Sequence, residues 1–113
     1  MGENKGYITH TEALGSIHIS EDVVAAVSAG AASEVDGICG MMNMTTKKTA
    51  ARGVRVSFEN DCAIIELYVM IRYGYAIPEV AEKIQTAVIS AVEAMTGFTV
   101  KAVNVHVGGV SFQ

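Results

Sequence analysis

The feature that most constrains the fold is a change of hydrophobic period in the second half of the chain. Between Cys62 and Arg72, alternation predicts a strand with one buried face. Its apolar face carries Ile65, Leu67, Val69 and Ile71, and its other face carries Glu66, Tyr68, Met70 and Arg72. Pro78 then fits the first turn of a helix. From there to Gly97, apolar residues recur at helical spacing: Val80, Ala81, Ile84, Ala87, Val88, Ala91, Val92 and Met95. The apolar face of the strand and the apolar stripe of the helix can both be buried if the two elements pack against each other.

The other segments predict further strands and one more helix. Residues 1–13 are interpreted as a tail. The expected elements are a strand at Leu14–Ile19, a helix from the N-cap Ser20 to about Val35, a strand at Val54–Glu59, a turn at Asn60-Asp61, and a last strand at Val100–Val107. Gly37 is expected to end the first helix. The small residues of that helix favour tight packing, or, as an alternative, self-association.

These elements predict an α+β fold of a single domain. The order strand, helix, strand, strand, helix, strand gives a two-layer βαββαβ sandwich, with a four-stranded sheet and both helices on one face. Right-handed crossovers favour a ferredoxin-like arrangement, in which the first and last strands are antiparallel neighbours. The ordered core is expected over about 14–110. The polar, basic segment at about 45–53, with Lys47, Lys48 and Arg52, is predicted to be a mobile loop.

Composition excludes several classes of protein. Half of the 113 residues are hydrophobic and 18% are charged, so the chain is not intrinsically disordered. No apolar stretch approaches the roughly 18 residues of a membrane-spanning helix, and the first residues do not resemble a secretory signal. Two cysteines predict free thiols in a reducing compartment. A net charge of −4 argues against a general nucleic-acid-binding protein.

No pattern in the sequence predicts a catalytic or metal site. If the first and last strands are neighbours, His18 and His106 stand side by side, but a zinc site needs three or four ligands, and His10 and Glu66 are weak candidates for a third. Cys39 and Cys62 form no CxxC motif. We therefore expect no enzyme activity, no metal and no cofactor.

Several motifs resemble the alkaline-shock-protein family of bacterial envelope-stress proteins. They are GSIHISEDVV at 15–24, VDGI at 35–38, YGYAIPEVA at 73–81, TGFTV at 96–100 and VNVHV at 103–107. The resemblance covers about 15–110. It implies a small cytoplasmic bacterial protein linked to alkaline or envelope stress, which for some members lies at the inner membrane surface through a membrane-anchored partner. It implies no catalytic residues.

The sheet face that the helices leave open is the predicted interaction surface. Its residues are of types enriched in protein interfaces: Tyr68, Met70, Arg72, Arg55, His18 and His106. We therefore predict a non-enzymatic scaffold that associates with itself and docks to a membrane-anchored protein, without inserting into the membrane itself. The alternative is a nucleic-acid-binding module that uses the open sheet face and the basic loop.

Overall fold

The computed structural model describes residues 7–12, 14–41 and 53–112, and it contains two helices and six strands in these ranges. The elements are β1 (Tyr7–Glu12), β2 (Gly15–Ser20), α1 (Glu21–Ser33), β3 (Ile38–Met41), β4 (Val54–Glu59), β5 (Cys62–Arg72), α2 (Ile77–Thr96) and β6 (Thr99–Ser111). Strands β3 to β6 form one four-stranded sheet, and β1 and β2 form a separate two-stranded sheet. The predicted α+β fold, with two helices and a four-stranded sheet, is confirmed.

The hairpin of β4 and β5 has the predicted bounds. Its turn, Asn60-Asp61, has φ angles of 52° and 67°. Positive φ at both central residues is the conformation that matches the twist of a two-residue hairpin, and Asn and Asp tolerate it better than most residues. The turn fixes the register from Glu59 opposite Cys62 to Val54 opposite Leu67.

Strand β5 is the centre of the main sheet. On one side it pairs in parallel with β6, from Cys62 opposite Thr99 to Arg72 opposite Ser111. On the other side it pairs with β4 through its first half and with β3 at its end, where Ile38 lies opposite Ile71. Strand β5 therefore has partners along both of its edges.

The predicted neighbourhood of the first and last strands is wrong. Strand β2 pairs with β1, from Tyr7 opposite Ser20 to Glu12 opposite Gly15, and β6 pairs with β5. In a split βαβ arrangement the first strand separates the third from the last. Here β2 does not lie between them, so β5 and β6 pair directly with each other as parallel strands.

The cause lies in the segment interpreted as a tail. Residues 7–12 read Tyr-Ile-Thr-His-Thr-Glu, in which Tyr, Ile and Thr favour strands. They give β2 an antiparallel partner that only a short turn separates from it in sequence, so β2 pairs locally. The sequence interpretation also missed β3, which precedes the segment expected to be a mobile loop. Most of the predicted mobile loop, 45–52, lies outside the described residues, so its mobility stays a prediction.

One apolar core joins both helices to the same face of the sheet. On β5, Ala63, Ile65, Leu67, Val69 and Ile71 are all fully buried. Helix α2 covers them with Val80, Ile84, Val88 and Val92, and α1 contributes Val24, Ala29 and Ala32. The predicted inner face of β5 and the central stripe of α2 are therefore confirmed.

The helix ends follow the predicted signals in part. Ser20 is the N-cap of α1, and its side chain accepts a hydrogen bond from the Val23 N–H at 3.4 Å. Gly97 follows α2 with a left-handed φ of 79°. Helix α1 ends at Ser33, before Gly37, which has a φ of 99° in the connection to β3. Strand β6 continues past Gly108 and Gly109, where the sequence interpretation ended it.

Candidate interaction surfaces

The sheet face opposite the helices carries most of the predicted site. We define the open sheet face by six residues: Arg55 on β4, Glu66, Tyr68, Met70 and Arg72 on β5, and His106 on β6. Because side chains alternate along a strand, the even-numbered residues of β5 point away from the core that its odd-numbered residues fill. Neither α1 nor α2 lies on this face, since both pack against the buried side of β5.

Three side chains form a cluster at the middle of the open sheet face. Tyr68 and His106 are opposite each other in the β5–β6 register, and their rings stack with centroids 4.4 Å apart at an angle of 9°. The Tyr68 hydroxyl donates a hydrogen bond to Glu66 Oε1 at 3.2 Å. His106 Nε2 lies 3.3 Å from the same oxygen. One carboxylate oxygen thus holds both rings, and we call this group the Glu66–Tyr68–His106 cluster.

The cluster is ordered but accessible. The side chains of His106 and Glu66 are 45% and 34% exposed, and Tyr68 is half-buried. Stacking, the Tyr68 hydrogen bond and the approach of His106 Nε2 to the same carboxylate oxygen restrict the rotamers of both rings before anything binds. When a partner covers the rings, the two side chains therefore lose little conformational entropy.

The structure gathers five of the six predicted site residues on one face. Tyr68, Met70, Arg72, Arg55 and His106 all lie on the open sheet face. His18 does not, because it lies on β2, in the other sheet, opposite Thr9. The expected pairing of His18 with His106 is wrong for the same reason that the strand order is wrong: β2 has left the main sheet.

Glu66 is the residue that sequence reasoning undervalued. It was considered as a weak candidate for a third metal ligand, and it was not among the six residues named for the predicted interaction surface. Its spacing from Tyr68 already put the two on one face of β5. What the sequence did not show was the β5–β6 register that brings His106 to them.

The histidines and cysteines do not assemble into a metal site in the part of the chain that the structure describes. Within it, no three His, Cys, Asp or Glu side chains lie close enough to hold an ion. Cys39 is an exposed free thiol and Cys62 a partly buried one. Among the same residues, no helix is both long and apolar enough to cross a membrane.

A second surface lies on the outer side of the helices. An open groove of about 640 Å³ runs between α1 and α2, and we call it the interhelix groove. Its walls are mostly small or apolar: Ala26, Gly30 and Ala31 from α1, and Ala87, Ala91 and Met95 from α2. Met95, predicted on the buried stripe of α2, is instead 70% exposed at one end of it. The buried part of the α2 stripe therefore ends at Val92.

Comparison with known proteins gives the family. Residues 9–112 match the model of the alkaline shock protein 23 family, which is the alkaline-shock-protein family and is described as having a cell envelope-related function. The chain belongs to this family. The resemblance that the sequence motifs indicated is therefore confirmed.

Relatives in two bacteria cover most of the chain. The uncharacterized protein YloU of Bacillus subtilis is 37% identical in an alignment of 106 positions, and the match covers 85% of this chain and 88% of that protein. The uncharacterized protein Spy1535 of Streptococcus pyogenes is 33% identical in an alignment of 106 positions, and the match covers 88% of this chain and 82% of that protein. Both therefore match this alkaline-shock-family chain over nearly its whole length.

Solved structures share the fold. The variant MamM CTD H264E-E289H has a TM-score of 0.53 at 16% sequence identity, covering 80% of this chain and 94% of that one. MamM CTD H264E has a TM-score of 0.51 at 17% identity, covering 77% and 92%. These neighbours are ferredoxin-like, so the alkaline-shock-family chain shares their general α+β architecture.

Proposed function

We propose that this alkaline-shock-family protein is a non-catalytic binding protein of the cell envelope. It associates with itself and docks to a membrane-anchored protein, and in both cases the open sheet face makes the contact. The observation that carries the proposal is the Glu66–Tyr68–His106 cluster, an ordered and accessible aromatic pair on a sheet face that neither helix covers.

The residues around the cluster support a protein partner. Met70 lies next to Tyr68 on the same face of β5, and Met adapts its shape to irregular apolar surfaces. Arg72 and Arg55 lie toward the ends of the face, where guanidinium groups offer planar hydrogen-bond donors. Aromatic, Met and Arg side chains are the types enriched in protein interfaces, with the aromatic residues at the centre.

The shape of the face supports binding rather than catalysis. Catalytic groups act in concave sites that exclude water, where electrostatic interactions are strong. The Glu66–Tyr68–His106 cluster lies on the surface of an open sheet, and its polar atoms bond to one another. The envelope-related function of the family supports a partner that is itself held at the membrane.

The decisive experiment compares two double variants by size-exclusion chromatography with light scattering, over a range of protein concentrations. Tyr68→Ala/Arg72→Ala removes two side chains from the open sheet face. The control, Leu14→Ala/Ile17→Ala, removes two large exposed side chains from the β1–β2 hairpin. We expect the wild type and the control to associate alike, and the sheet-face variant to be shifted toward monomer while keeping its circular dichroism spectrum.

The same pair of variants tests the membrane-anchored partner in cells. We expect a fluorescent fusion of the wild type and of the control at the cell periphery, and of the sheet-face variant throughout the cell. A monomeric wild type that is diffuse in cells would contradict the proposal. Salt-sensitive retention on heparin, lost in the sheet-face variant, would favour the nucleic-acid alternative instead.

A further inference from the structure

The interhelix groove has the dimensions of a helix-binding site. Next to it along α2 lies a second hollow, of about 430 Å³, which shares Ala87 and Ser90 with it. Together they follow α2 from Glu79 to Met95, a distance of about 24 Å at about 1.5 Å per residue. That length matches a helix of about sixteen residues, or between four and five turns.

The floor of the groove suits close helix packing. Ala26 and Gly30 are exposed on α1, and Ala87 and Ala91 face them from α2. Small side chains let a neighbouring helix approach toward the short end of the usual interaxial range of about 8–10 Å. Met95, exposed at the end of the groove, provides an adaptable apolar contact.

The acidic charge of the two helices favours an occupant with basic residues. The two helices and the turn after α1 carry seven acidic side chains and one basic one: Glu21, Asp22, Glu34, Asp36, Glu79, Glu82, Glu93 and Lys83. Because the whole chain has twelve acidic and eight basic residues, the rest carries five acidic and seven basic ones. The helical side of the protein thus has a net charge of −6 and the remainder +2. Glu34 lines the interhelix groove, and Glu79, Glu82 and Lys83 line its extension, so the two hollows together have three acidic side chains and one basic one.

We propose that the interhelix groove binds an amphipathic helix of a partner protein, with its apolar face in the groove and basic residues along its flanks. A second copy of the acidic helices is disfavoured by like-charge repulsion. This site lies on the opposite side of the molecule from the open sheet face. It adds a second, independent docking surface, so failure of either proposal leaves the other intact.

The test uses two synthetic 18-residue helical peptides as probes. Both carry a leucine face, and their remaining positions are lysine in one and glutamate in the other. We expect the wild-type protein to bind the lysine peptide at least tenfold more tightly in fluorescence anisotropy at low salt. Amide chemical-shift changes should map to α1 and α2. Equal binding of both peptides, or shifts confined to β4, β5 and β6, would overturn the proposal.

Two variants of one glycine test the shape of the groove. A Cβ at Gly30 would meet no atom within 4 Å, so Gly30→Ala is accommodated, and because Gly30 is exposed, the ring of Gly30→Phe would lie at the protein surface, at the groove. The phenyl ring of Gly30→Phe fills the groove, whereas Gly30→Ala leaves it open. We expect Gly30→Phe to weaken binding of the lysine peptide at least tenfold and Gly30→Ala to change it less than about twofold. Equal binding by both variants would overturn the proposal.

A matched pair of neutralised variants tests the charge. Glu34→Gln/Glu82→Gln and Glu59→Gln/Asp61→Asn each remove two negative charges, the first beside the groove and the second at the β4–β5 turn. We expect about a three- to tenfold loss of affinity for the first variant and less than about twofold for the second. An equal loss of affinity in both variants would show that the net charge of the protein alone attracts the peptide, and this would contradict specific binding in the interhelix groove. Shift changes on α1 and α2 that grow with protein concentration without peptide would identify a second copy as the occupant, and would also contradict it.

Discussion

Strands β5 and β2 show how one sequence pattern leads to two different environments. Both place apolar residues at every second position, and the positions between them are polar on β2 and mixed on β5. On β5, Ile65 and Leu67 are fully buried between the helices and the sheet partners. On β2, Ile17 is 54% exposed, and Leu14, just before the strand, is fully exposed. Alternation therefore predicts that a segment is a strand, whereas its partners decide how much that strand buries.

The number of partners separates the two regions further. Strand β5 pairs with three other strands and lies under both helices, while β2 pairs with β1 alone. An isolated two-stranded hairpin is marginally stable in water. We therefore expect most of the folding free energy to reside in the unit of β4, β5, α2 and β6, and little of it in the β1–β2 hairpin.

The largest effect should come from one isoleucine in each region. Ile84 on α2 is fully buried, so Ile84→Ala should lower the free energy of unfolding by about 2–5 kcal/mol. Ile17→Ala makes the same chemical change on the exposed hairpin and should lower it by less than about 1 kcal/mol. Urea unfolding followed by circular dichroism measures both. Similar losses for the two variants would show that the hairpin belongs to the cooperative core.

A smaller effect is expected at Gly37, where the connection after α1 meets α2. Gly37 has a φ of 99°, and a Cβ there would lie 2.7 Å from Tyr75 Cδ2 and 2.9 Å from Val80 Cγ2. Gly37→Ala should lower the free energy of unfolding by about 1–3 kcal/mol.

Gly97→Ala is the control for the glycine at position 37, because Gly97 has a φ of 79° with open space around it. It should lower the free energy of unfolding by about 1–2 kcal/mol from backbone strain alone. Thermal unfolding measures both variants. If Gly97→Ala lowers the free energy of unfolding as much as Gly37→Ala does, the close approach of the new Cβ to Tyr75 and Val80 contributes nothing to the destabilisation.

A third comparison lies within β2 itself. Ser20 ends the strand and caps α1, so Ser20→Ala should lower the free energy of unfolding by about 1 kcal/mol. Ser16→Ala, on the exposed part of the same strand, should change it by less than about 0.5 kcal/mol. If the two variants unfold at the same temperature, the cap contributes no more than an exposed hairpin serine does.

The smallest effect should come from an ion pair on the surface of the stable unit. Lys101 Nζ lies 3.1 Å from Glu59 Oε1, and both side chains are more than half exposed. Lys101→Ala should lower the free energy of unfolding by at most about 1 kcal/mol, and about 1 M salt should remove the difference, since it screens exposed charges. Denaturant titrations at two salt concentrations measure this. A loss that persists at high salt would point to the packing of the lysine stem rather than to its charge.

Local signals in the sequence predicted much of the fold. The bounds of β4 and β5, the Asn60-Asp61 turn and the Ser20 cap follow from interactions within a few residues, and each was predicted correctly. Strand β1 was missed because its strand-forming residues were mixed with polar ones. The direct pairing of β5 with β6 was missed because it depends on β2 leaving the sheet, and this is decided by competition between distant segments.

The candidate surface was likewise predictable where it depends on local sequence and not where it depends on distant segments. The grouping of Tyr68, Met70 and Arg72 is a consequence of alternation within one strand, so the sequence was sufficient to predict it. The stacking of His106 on Tyr68 requires the long-range register of β6, and the misplacement of His18 follows from the same missing information. The interhelix groove needs the relative positions of α1 and α2, which no local pattern contains.

The parallel pairing of β5 with β6 has a consequence for how the chain folds. The paired residues Cys62 and Thr99, and Arg72 and Ser111, are 37 and 39 positions apart in sequence. Closing such a distance requires ordering the chain between them, which slows folding relative to a local hairpin. The β4–β5 hairpin and α2 are contiguous and can form while the chain is still being synthesised. The rings of Tyr68 and His106 come together only when β6 has left the ribosome, so a nascent chain has its hairpin before it has the Glu66–Tyr68–His106 cluster.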